Sequence, residues 1–248
     1  MGEIRARGIV IRRRDYGDNN ALLSILTPDL GIVKAVIYGV KGGRNKSKAA
    51  AGEFLCYAEY SLFAGKGDML TVNNAEIADA FLPIAQSLSK LSLCSYMADI
   101  LWYVLGENNA DERLFSLFMN CVYALAYRDD DIEKVKTVFE WKLMSAGGYM
   151  PVTDCCVKCG SVEDLCAFNA REGGMMCRSC ISDGSSSMSK EGVMALRYIV
   201  NCPDKRMLAF RSKEVLVKEL SKLSELYVRY RTGNKFASLD YYKAMRDM

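Results

Sequence analysis

The sequence of 248 residues contains no histidine, and this absence narrows its chemistry before any motif is considered. Histidine is the side chain that most often acts as general base and as a nitrogen ligand of metals. Mechanisms that need an imidazole, such as serine–histidine or cysteine–histidine catalysis, are therefore excluded. Any zinc ion held by this chain must be bound without imidazole.

Long apolar runs are missing as well. No stretch approaches the roughly 18 apolar residues of a membrane-spanning helix, although half of the residues are hydrophobic and a quarter are charged. The amino terminus, MGEIRARG, is charged and leads into no apolar segment, so we expect no signal peptide. These features predict a soluble globular protein that makes no membrane contact and stays in a reducing cytosol.

The first 80 residues predict a small β-barrel. Five runs rich in β-formers are separated by short Gly, Pro and Asx clusters typical of antiparallel connections. They span residues 4–14, 21–27, 32–40, 54–64 and 69–77. The five-stranded OB-fold is the leading interpretation, and an SH3-like barrel or an open sheet would need the same number of strands.

After Pro83 the hydrophobic period changes to that of helices, which places a domain boundary near residue 80. Helices are predicted from Leu88, from the acidic cap at residues 109–112, from residues 129–131 to the glycines at 147–148, from Ser189, and last around Val215 to Tyr227. Residues 184–187 (GSSS) predict a flexible linker. The fold class is α+β: an OB-fold over residues 1–80, then an all-α domain over residues 81–248 with a zinc-binding insertion at about residues 150–183.

Six of the ten cysteines fall between Cys155 and Cys180. Two CxxC pairs separated by seventeen residues have the spacing of a zinc ribbon, formed by Cys156, Cys159, Cys177 and Cys180. Four thiolates complete a tetrahedron around zinc and leave no open position for a substrate. We therefore predict a structural zinc ion, which stabilises the fold and performs no chemistry.

Alternatives to this zinc site are a redox dithiol, an iron–sulfur cluster, or free cysteines. Cys155 adjoins a predicted ligand and could substitute for it, but only Cys156 forms a CxxC pair with Cys159. The cysteines outside the cluster are interpreted as small buried apolar residues; they are Cys56, Cys94, Cys121 and Cys202.

Excess positive charge is concentrated at the amino terminus, where residues 1–50 hold ten Lys or Arg against four Asp or Glu. A glycine-rich loop carries cations without acids, which suits contact with a nucleic-acid backbone. A ring in the first turn could stack on a base. The predicted DNA-binding residues are Arg12, Arg13, Arg14 and Tyr16 near the first turn, and Lys41, Arg44, Lys46 and Lys48 in the loop.

The competing interpretation of these charges is a solubilising surface. The loop lacks the spacing and the Ser or Thr of a phosphate-binding GxxxxGK[ST] motif, so nucleotide hydrolysis is not expected. The acidic run at residues 129–131 is more simply a helix start than a metal site of a nuclease. No catalytic residue is assigned.

With these motifs placed, the sequence resembles the RecO family of bacterial recombination mediators over nearly its whole length. Four segments carry the resemblance: residues 10–18 (VIRRRDYGD), 39–47 (GVKGGRNKS), 139–151 (FEWKLMSAGGYMP) and 233–239 (GNKFASL). The most specific feature is the third segment followed by CxxCG and GGxxCxxC.

The resemblance implies an amino-terminal OB-fold and a non-enzymatic role in homologous recombination and the DNA damage response of the bacterial cytoplasm and nucleoid. Such proteins bind single- and double-stranded DNA, anneal complementary strands, and with RecR help RecA displace single-stranded-DNA-binding protein. The family's zinc ligands fall on Cys156, Cys159, Cys177 and Cys180, and its basic loop on Lys41, Arg44, Lys46 and Lys48. Some members lack the cysteines altogether. Lys134 and Lys136 are weak candidates for the pocket that takes the acidic tail of single-stranded-DNA-binding protein.

Two other function classes stay open at this point. A zinc-ribbon adaptor of a transcription or other nucleic-acid assembly would use the basic amino terminus to bind protein or RNA. A thiol redox enzyme would use the CxxC pairs as reactive thiolates, and its thiols would react without prior removal of a metal.

Overall fold

The computed structural model describes residues 2–40, 46–64, 69–106, 109–210 and 213–247. The chain forms two compact units, Met1–Ser116 and Leu117–Met248, and the division falls inside a helix. The barrel's last strand ends at Asp79, well before this division. The domain boundary at residue 80 therefore stays a prediction.

The first unit contains a closed five-stranded barrel. Its strands are β1 (Ile4–Tyr16), β2 (Asn20–Thr27), β3 (Gly31–Ile37), β4 (Tyr57–Ala64) and β5 (Leu70–Asp79), in the order β1-β2-β3-β5-β4. Neighbouring strands are antiparallel except β3 and β5, which are parallel, and β1 closes the barrel against β4. This is an OB-like barrel, as the sequence predicts.

Alternating side chains of these strands fill the barrel. Val10, Leu23, Ile25, Tyr60 and Leu62 belong to its buried core. The turn between β2 and β3 is stabilised by Thr27, whose hydroxyl donates to the carbonyl of Gly31 (2.9 Å) and accepts from the amide of Leu30 (3.0 Å). Gly31 has a φ of +68°, a left-handed conformation that glycine adopts without strain, so the PDLG sequence specifies a tight connection.

Three helices complete the first unit before the division: α1 (Lys46–Ala51), α2 (Leu82–Ala85) and α3 (Leu88–Leu105). The α3 helix begins where the hydroxyl of Ser87 accepts a hydrogen bond from the amide of Lys90. Arg12 of β1 joins the barrel to α3 through an ion pair with Asp99 (2.7 Å). The guanidinium carbon of Arg12 also lies 4.4 Å from the centre of the Trp102 ring.

The second unit is helical, and α4 (Glu112–Tyr127) crosses into it. Its other helices are α5 (Ile132–Ala146), α6 (Lys190–Asn201), α7 (Glu214–Thr232) and α8 (Ala237–Arg246). The α5 helix begins at Asp131, whose carboxylate accepts from the amide of Lys134 (2.7 Å), so the acidic run is a helix cap as predicted. Ten of its fifteen residues, from Val135 to Met144, are buried, which makes α5 the central helix of this unit.

A three-stranded sheet lies between α5 and α6 in the sequence. It contains β6 (Leu165–Asn169), β7 (Gly174–Cys177) and β8 (Ser185–Ser187), in the order β7-β6-β8. The predicted linker at residues 184–187 is wrong, because Ser185, Ser186 and Ser187 pair with β6. The α8 helix was not predicted either.

An aromatic cluster fixes this sheet to the helices. Trp141 of α5 stacks on Tyr227 of α7, and Phe168 of β6 meets both rings edge-on, with ring centres 5.3–5.5 Å apart. All three rings are buried. Each such ring pair stabilises the fold by roughly 0.5–1.5 kcal/mol, in addition to the stabilisation from burying its apolar area. In the part of the chain that the structure describes, no helix has the length and apolar character needed to span a membrane.

Candidate metal centre and nucleic-acid interface

The four cysteines of the two CxxC pairs converge in the second unit. One sulfur from each of Cys156, Cys159, Cys177 and Cys180 lies within 4.8 Å of the others. The sulfurs of Cys159 and Cys177 are 3.7 Å apart. A tetrahedron with zinc–sulfur bonds of about 2.3 Å has sulfur–sulfur edges of about 3.8 Å, so this spacing fits a tetrathiolate metal site.

Backbone hydrogen bonds shape the first CxxC pair into a tight turn. The amide of Gly160 donates to the carbonyl of Cys156 (2.8 Å), and the amide of Cys156 donates to the carbonyl of Ser161 (2.7 Å). The second pair lies at the end of β7 and in the 3-10 turn Arg178–Cys180. Cys156 and Cys177 are buried beside Ala167 and Met176, whereas Cys159 is exposed.

Electrostatics at this site also favour a bound cation. Burial would raise the pKa of the Cys156 thiol, but backbone amides of Cys177, Cys159 and Lys158 lower it to about 6. Hydrogen bonds with Cys159 and Cys177 raise the pKa of Cys180 to about 12. Backbone amides therefore favour a thiolate at Cys156, whereas the neighbouring thiols oppose one at Cys180, and a divalent cation would supply positive charge there. The four cysteines are positioned to bind a metal ion.

Cys155 lies outside this cluster: among the described residues, the metal-binding group contains Cys156 and leaves out its neighbour. The preference for Cys156, which rested on spacing alone, agrees with the geometry. Cys56, Cys94, Cys121 and Cys202 are buried, as predicted for small core residues.

Long side chains attach the cysteine segment to the helices. Arg197 of α6 donates to the carbonyl of Thr153 (2.9 Å), and the hydroxyl of Tyr227 donates to the carbonyl of Tyr149 (2.9 Å). Arg231 of α7 donates to the carbonyls that begin the β6–β7 turn. Gly173 has a φ of +89°, a left-handed conformation that favours glycine, and a Cβ there would also displace the Arg231 guanidinium, which would lie 2.1 Å away.

The strand register defines which barrel residues share a face. Antiparallel partners lie side by side on one face of a sheet. Arg13 pairs with Leu23, which belongs to the barrel core, so Arg13 lies on the inner side. Arg14 pairs with Leu22 and Tyr16 with Asn20, which places Arg14 and Tyr16 on the outer face.

Lys34 and Tyr38 extend this outer face onto the third strand. Lys34 pairs with Ser24, the partner of Arg12, and Tyr38 follows two residues after Val36, the partner of Leu22. The amide of Gly39 donates to the side chain of Asn20 (3.2 Å) and keeps this segment beside β2. We name the exposed outer residues Arg14, Tyr16, Lys34 and Tyr38 the outer strip.

The predicted DNA-binding residues fall into three groups. Arg14 and Tyr16 are exposed on the outer strip, and Lys46 is exposed at the start of α1, beside a half-buried Lys48. Arg12 is paired with Asp99, and Arg13 with Asp15 (3.3 Å) and Glu53 (3.6 Å). Lys41 and Arg44 lie outside the described residues.

Sequence reasoning missed Lys34 and Tyr38. Both lie in the third predicted strand, and the alternation that identified the strand also puts them on one face. Tyr38 is 49% exposed and Tyr16 48% exposed, so both rings are accessible to a base. The shared strand face of Lys34 and Tyr38 is therefore visible in the sequence. Neither residue belongs to the loop or the first turn, where the positive charge is concentrated.

The two lysines considered for binding an acidic tail are engaged inside the protein. Lys136 is completely buried and forms ion pairs with Glu140 (3.1 Å) and Glu225 (2.9 Å), so its assignment to a surface pocket is wrong. The ammonium of Lys134 donates to the carbonyls of Leu208 (2.8 Å) and Phe210 (2.7 Å).

Comparison with known proteins shows which family both parts of the chain resemble. The family model described as recombination protein O N terminal matches residues 1–81, and the one described as recombination protein O C terminal matches residues 85–240. The DNA repair protein RecO of Acetivibrio thermocellus is 33% identical over 99% of this chain and 98% of its own length. Those of Oceanobacillus iheyensis (29% over 90% and 86%) and Alkaliphilus metalliredigens (27% over 91% and 92%) are also similar. The chain belongs to the RecO family of DNA repair proteins.

Proposed function

We propose that this protein is a recombination mediator that binds single- and double-stranded DNA and anneals complementary strands. With RecR it helps RecA load onto DNA coated with single-stranded-DNA-binding protein. Family membership supports the role in repair, and the relatives are named DNA repair proteins. The outer strip is the observation that carries the proposed DNA contact. The proposal contains no covalent step and assigns no catalytic residue.

The outer strip offers two kinds of contact to a single DNA strand, namely cations for the phosphates and aromatic rings for the bases. Cationic side chains such as Arg14 and Lys34 attract phosphates irrespective of sequence, and both are exposed. The rings of Tyr16 and Tyr38 offer flat faces for bases, with Asn20 between them in the strand order. Stacking on an aromatic ring contributes about 1–3 kcal/mol per base. The strip therefore suits an unpaired strand running across β1, β2 and β3.

The basic loop adds a contact that duplex and single strands share. The predicted loop carries four positive charges: Lys41 and Arg44 follow β3 in the sequence, whereas Lys46 and Lys48 belong to helix α1, where Lys46 is exposed. Long cationic side chains on such a loop follow phosphates without reading bases. We assign general affinity for DNA to the loop, and preference for unpaired bases to the tyrosines.

Zinc has a structural role in this proposal. Four thiolates fill the tetrahedral positions around the ion, so none is left for a substrate. Cys156, Cys159, Cys177 and Cys180 would hold the ion and thereby stabilise the small sheet, in which Phe168 of β6 packs against α5 and α7. Mediator function would depend on the ion through the stability of the second unit.

The tyrosines provide the decisive test. The double variant Tyr16→Ala/Tyr38→Ala should lower affinity for an unstructured oligonucleotide about tenfold or more, because two stacking platforms are lost. Affinity for a blunt duplex should change less than about twofold, because paired bases are not available for stacking. Fluorescence anisotropy with labelled DNA measures both.

A matched control replaces two tyrosines of similar exposure in the second unit, Tyr230→Ala/Tyr241→Ala, and should leave both affinities unchanged. An equal loss for single strand and duplex would remove the tyrosines from base recognition. If the unaltered protein neither bound nor annealed DNA, the zinc-ribbon adaptor would replace the mediator as the better explanation.

A further inference from the structure

A buried group of charges joins three helices of the second unit. At its centre the ammonium of Lys136 contacts Glu140 (3.1 Å), Glu225 (2.9 Å) and Glu133 (3.4 Å), and it donates to the hydroxyl of Ser221 (2.9 Å). Lys136 and Glu140 have fully buried side chains. We name Glu133, Lys136 and Glu140 of α5 together with Glu225 of α7 the charged seam.

The seam is not electrically balanced by α5 and α7 alone. It contains three carboxylates, and Lys136 supplies one positive charge. Uncompensated charge at a buried site is costly, because the protein interior solvates ions much less well than water does. The seam therefore requires cations from another element.

The α8 helix supplies them. Arg246 pairs with Glu133 (2.7 Å) and with Asp247 (2.9 Å), and Lys243 pairs with Glu225. The hydroxyl of Tyr242 also donates to Glu133 (2.9 Å). Lys243 and Arg246 thus provide the two positive charges that the seam lacks.

Burial of α8 is concentrated in one aromatic ring, with Leu239 and Met245 half-buried beside it. Within this helix, every residue of which the structure describes, Tyr242 alone is fully buried. A cleft of about 600 Å³ runs beside it, lined by Lys243 and Arg246 together with Val217 and Lys222 of α7. The helix is therefore attached by one buried ring and by ion pairs, and the ion pairs are the part of the attachment that salt weakens.

Release of α8 need not unfold the other two helices. Glu133 and Glu225 lie at the rim of the seam, with side chains already 15% and 19% exposed, and water would hydrate them. The inner pair, Lys136 and Glu140, stays neutral as a pair, and Ser224 still donates to Glu140 (2.5 Å).

We propose that α8 is a strap held by charge: it closes over the seam by supplying Lys243 and Arg246, and it opens as a unit while α5 and α7 remain folded. Opening would uncover Glu133 and Glu225 and join their surface to the cleft. The strap gives the second unit an ionic-strength-dependent conformational change, independent of the proposed DNA contacts on the barrel.

Hydrogen exchange followed by mass spectrometry on the full chain tests the strap. Between about 50 mM and 500 mM NaCl, exchange of the α8 amides should accelerate about tenfold, because two ion pairs are screened. Amides of α5 and α7 should keep their protection. If α8 exchanged only together with α5 and α7 at every salt concentration, the strap would be overturned.

Variants separate the strap from general destabilisation. Lys243→Gln/Arg246→Gln should exchange rapidly in α8 even at low salt and lose the salt response, while α5 stays protected. The control Lys190→Gln/Lys235→Gln removes two exposed charges away from the seam and should behave like the unaltered protein. Unchanged α8 exchange in the first variant, or loss of protection throughout the second unit, would contradict the proposal.

Discussion

At the scale of single residues, position in the fold decides what a charge does. Arg14 and Lys136 are both cations in the sequence, but one lies exposed on a strand and the other contacts carboxylates in the protein interior. The partners of Lys136 include Ser221 and Glu225, which are distant in sequence. No local pattern connects them, so burial of Lys136 could not be predicted. By contrast, the metal ligands could, because a CxxC pair is a local signal.

Glu133 makes the free energy of unfolding decrease when the pH becomes acidic. Burial would raise its pKa, but Lys136 and hydrogen bonds from Ser221, Arg246 and Tyr242 lower it to about 2. An unfolded glutamate titrates near pH 4.3. Because the folded pKa is the lower one, the stabilisation is present above about pH 4.3 and is lost as the pH falls toward 2.

We therefore expect the free energy of unfolding to fall between about pH 4.5 and pH 2, and to fall less steeply in Glu133→Gln. Urea unfolding followed by tryptophan fluorescence measures the slope. Glu163→Gln, at an exposed position in the cysteine segment, should retain the slope of the unaltered protein. Identical slopes for Glu133→Gln and the unaltered protein would show that this carboxylate does not control the acid response.

At the scale of elements, regular hydrophobic patterns identified the strands of the barrel and the helices α3 to α7. Short polar elements were missed. The β8 strand consists of three serines and is specified by its pairing with β6. The α8 helix is only ten residues long, and Lys243 and Arg246 attach it to carboxylates of α7 and α5. Both elements depend on partners that a local pattern does not include.

Replacement of one of the four cysteine ligands should abolish metal binding by the cysteine segment. Cys156→Ser should abolish the binding of about one zinc ion per chain, because a hydroxyl is a poor substitute for a thiolate. Cys155→Ser is the matched control at the adjacent position and should keep the ion. Elemental analysis after dialysis gives the stoichiometry. Metal loss from both variants, or from neither, would contradict the proposed ligand set.

The same experiment has an optical readout. Trp141 packs against Phe168 of β6, 5.4 Å between ring centres, so loosening of the sheet should change its fluorescence. We expect the change in Cys156→Ser and not in Cys155→Ser.

At the scale of the whole molecule, the two units divide the proposed tasks. The first unit carries the outer strip and the basic loop, and the second carries the four-cysteine site and the charged seam. The sequence predicted this separation, because the basic residues cluster near the amino terminus and the cysteines cluster between residues 155 and 180. The shared face of Lys34, Tyr38 and Tyr16 depends on the register of β1, β2 and β3, which the distribution of residue types along the chain does not show.

The basic loop should govern the salt dependence of DNA binding. Replacing Lys41, Arg44, Lys46 and Lys48 together by alanine should weaken binding of single strands and duplexes alike. It should reduce the slope of log affinity against log salt by up to about 0.7 per lost single-strand phosphate contact. Titrations at several salt concentrations measure the slope. An unchanged slope would remove the loop from the interface and leave the outer strip as the DNA contact.

Closure of the barrel has a consequence for synthesis of the chain. The first strand, β1, pairs with β4, and β3 pairs with β5, so the first pairing cannot be completed until residues up to Leu62 have been made and the second until residues up to Val72 have been made. Ribosomes add about 5–20 residues per second, so the β1-β2-β3 meander waits for seconds with both edges unpaired. Unpaired edges are where strands of different chains associate. The unfinished barrel is therefore a stage at which this protein is exposed to association with other chains.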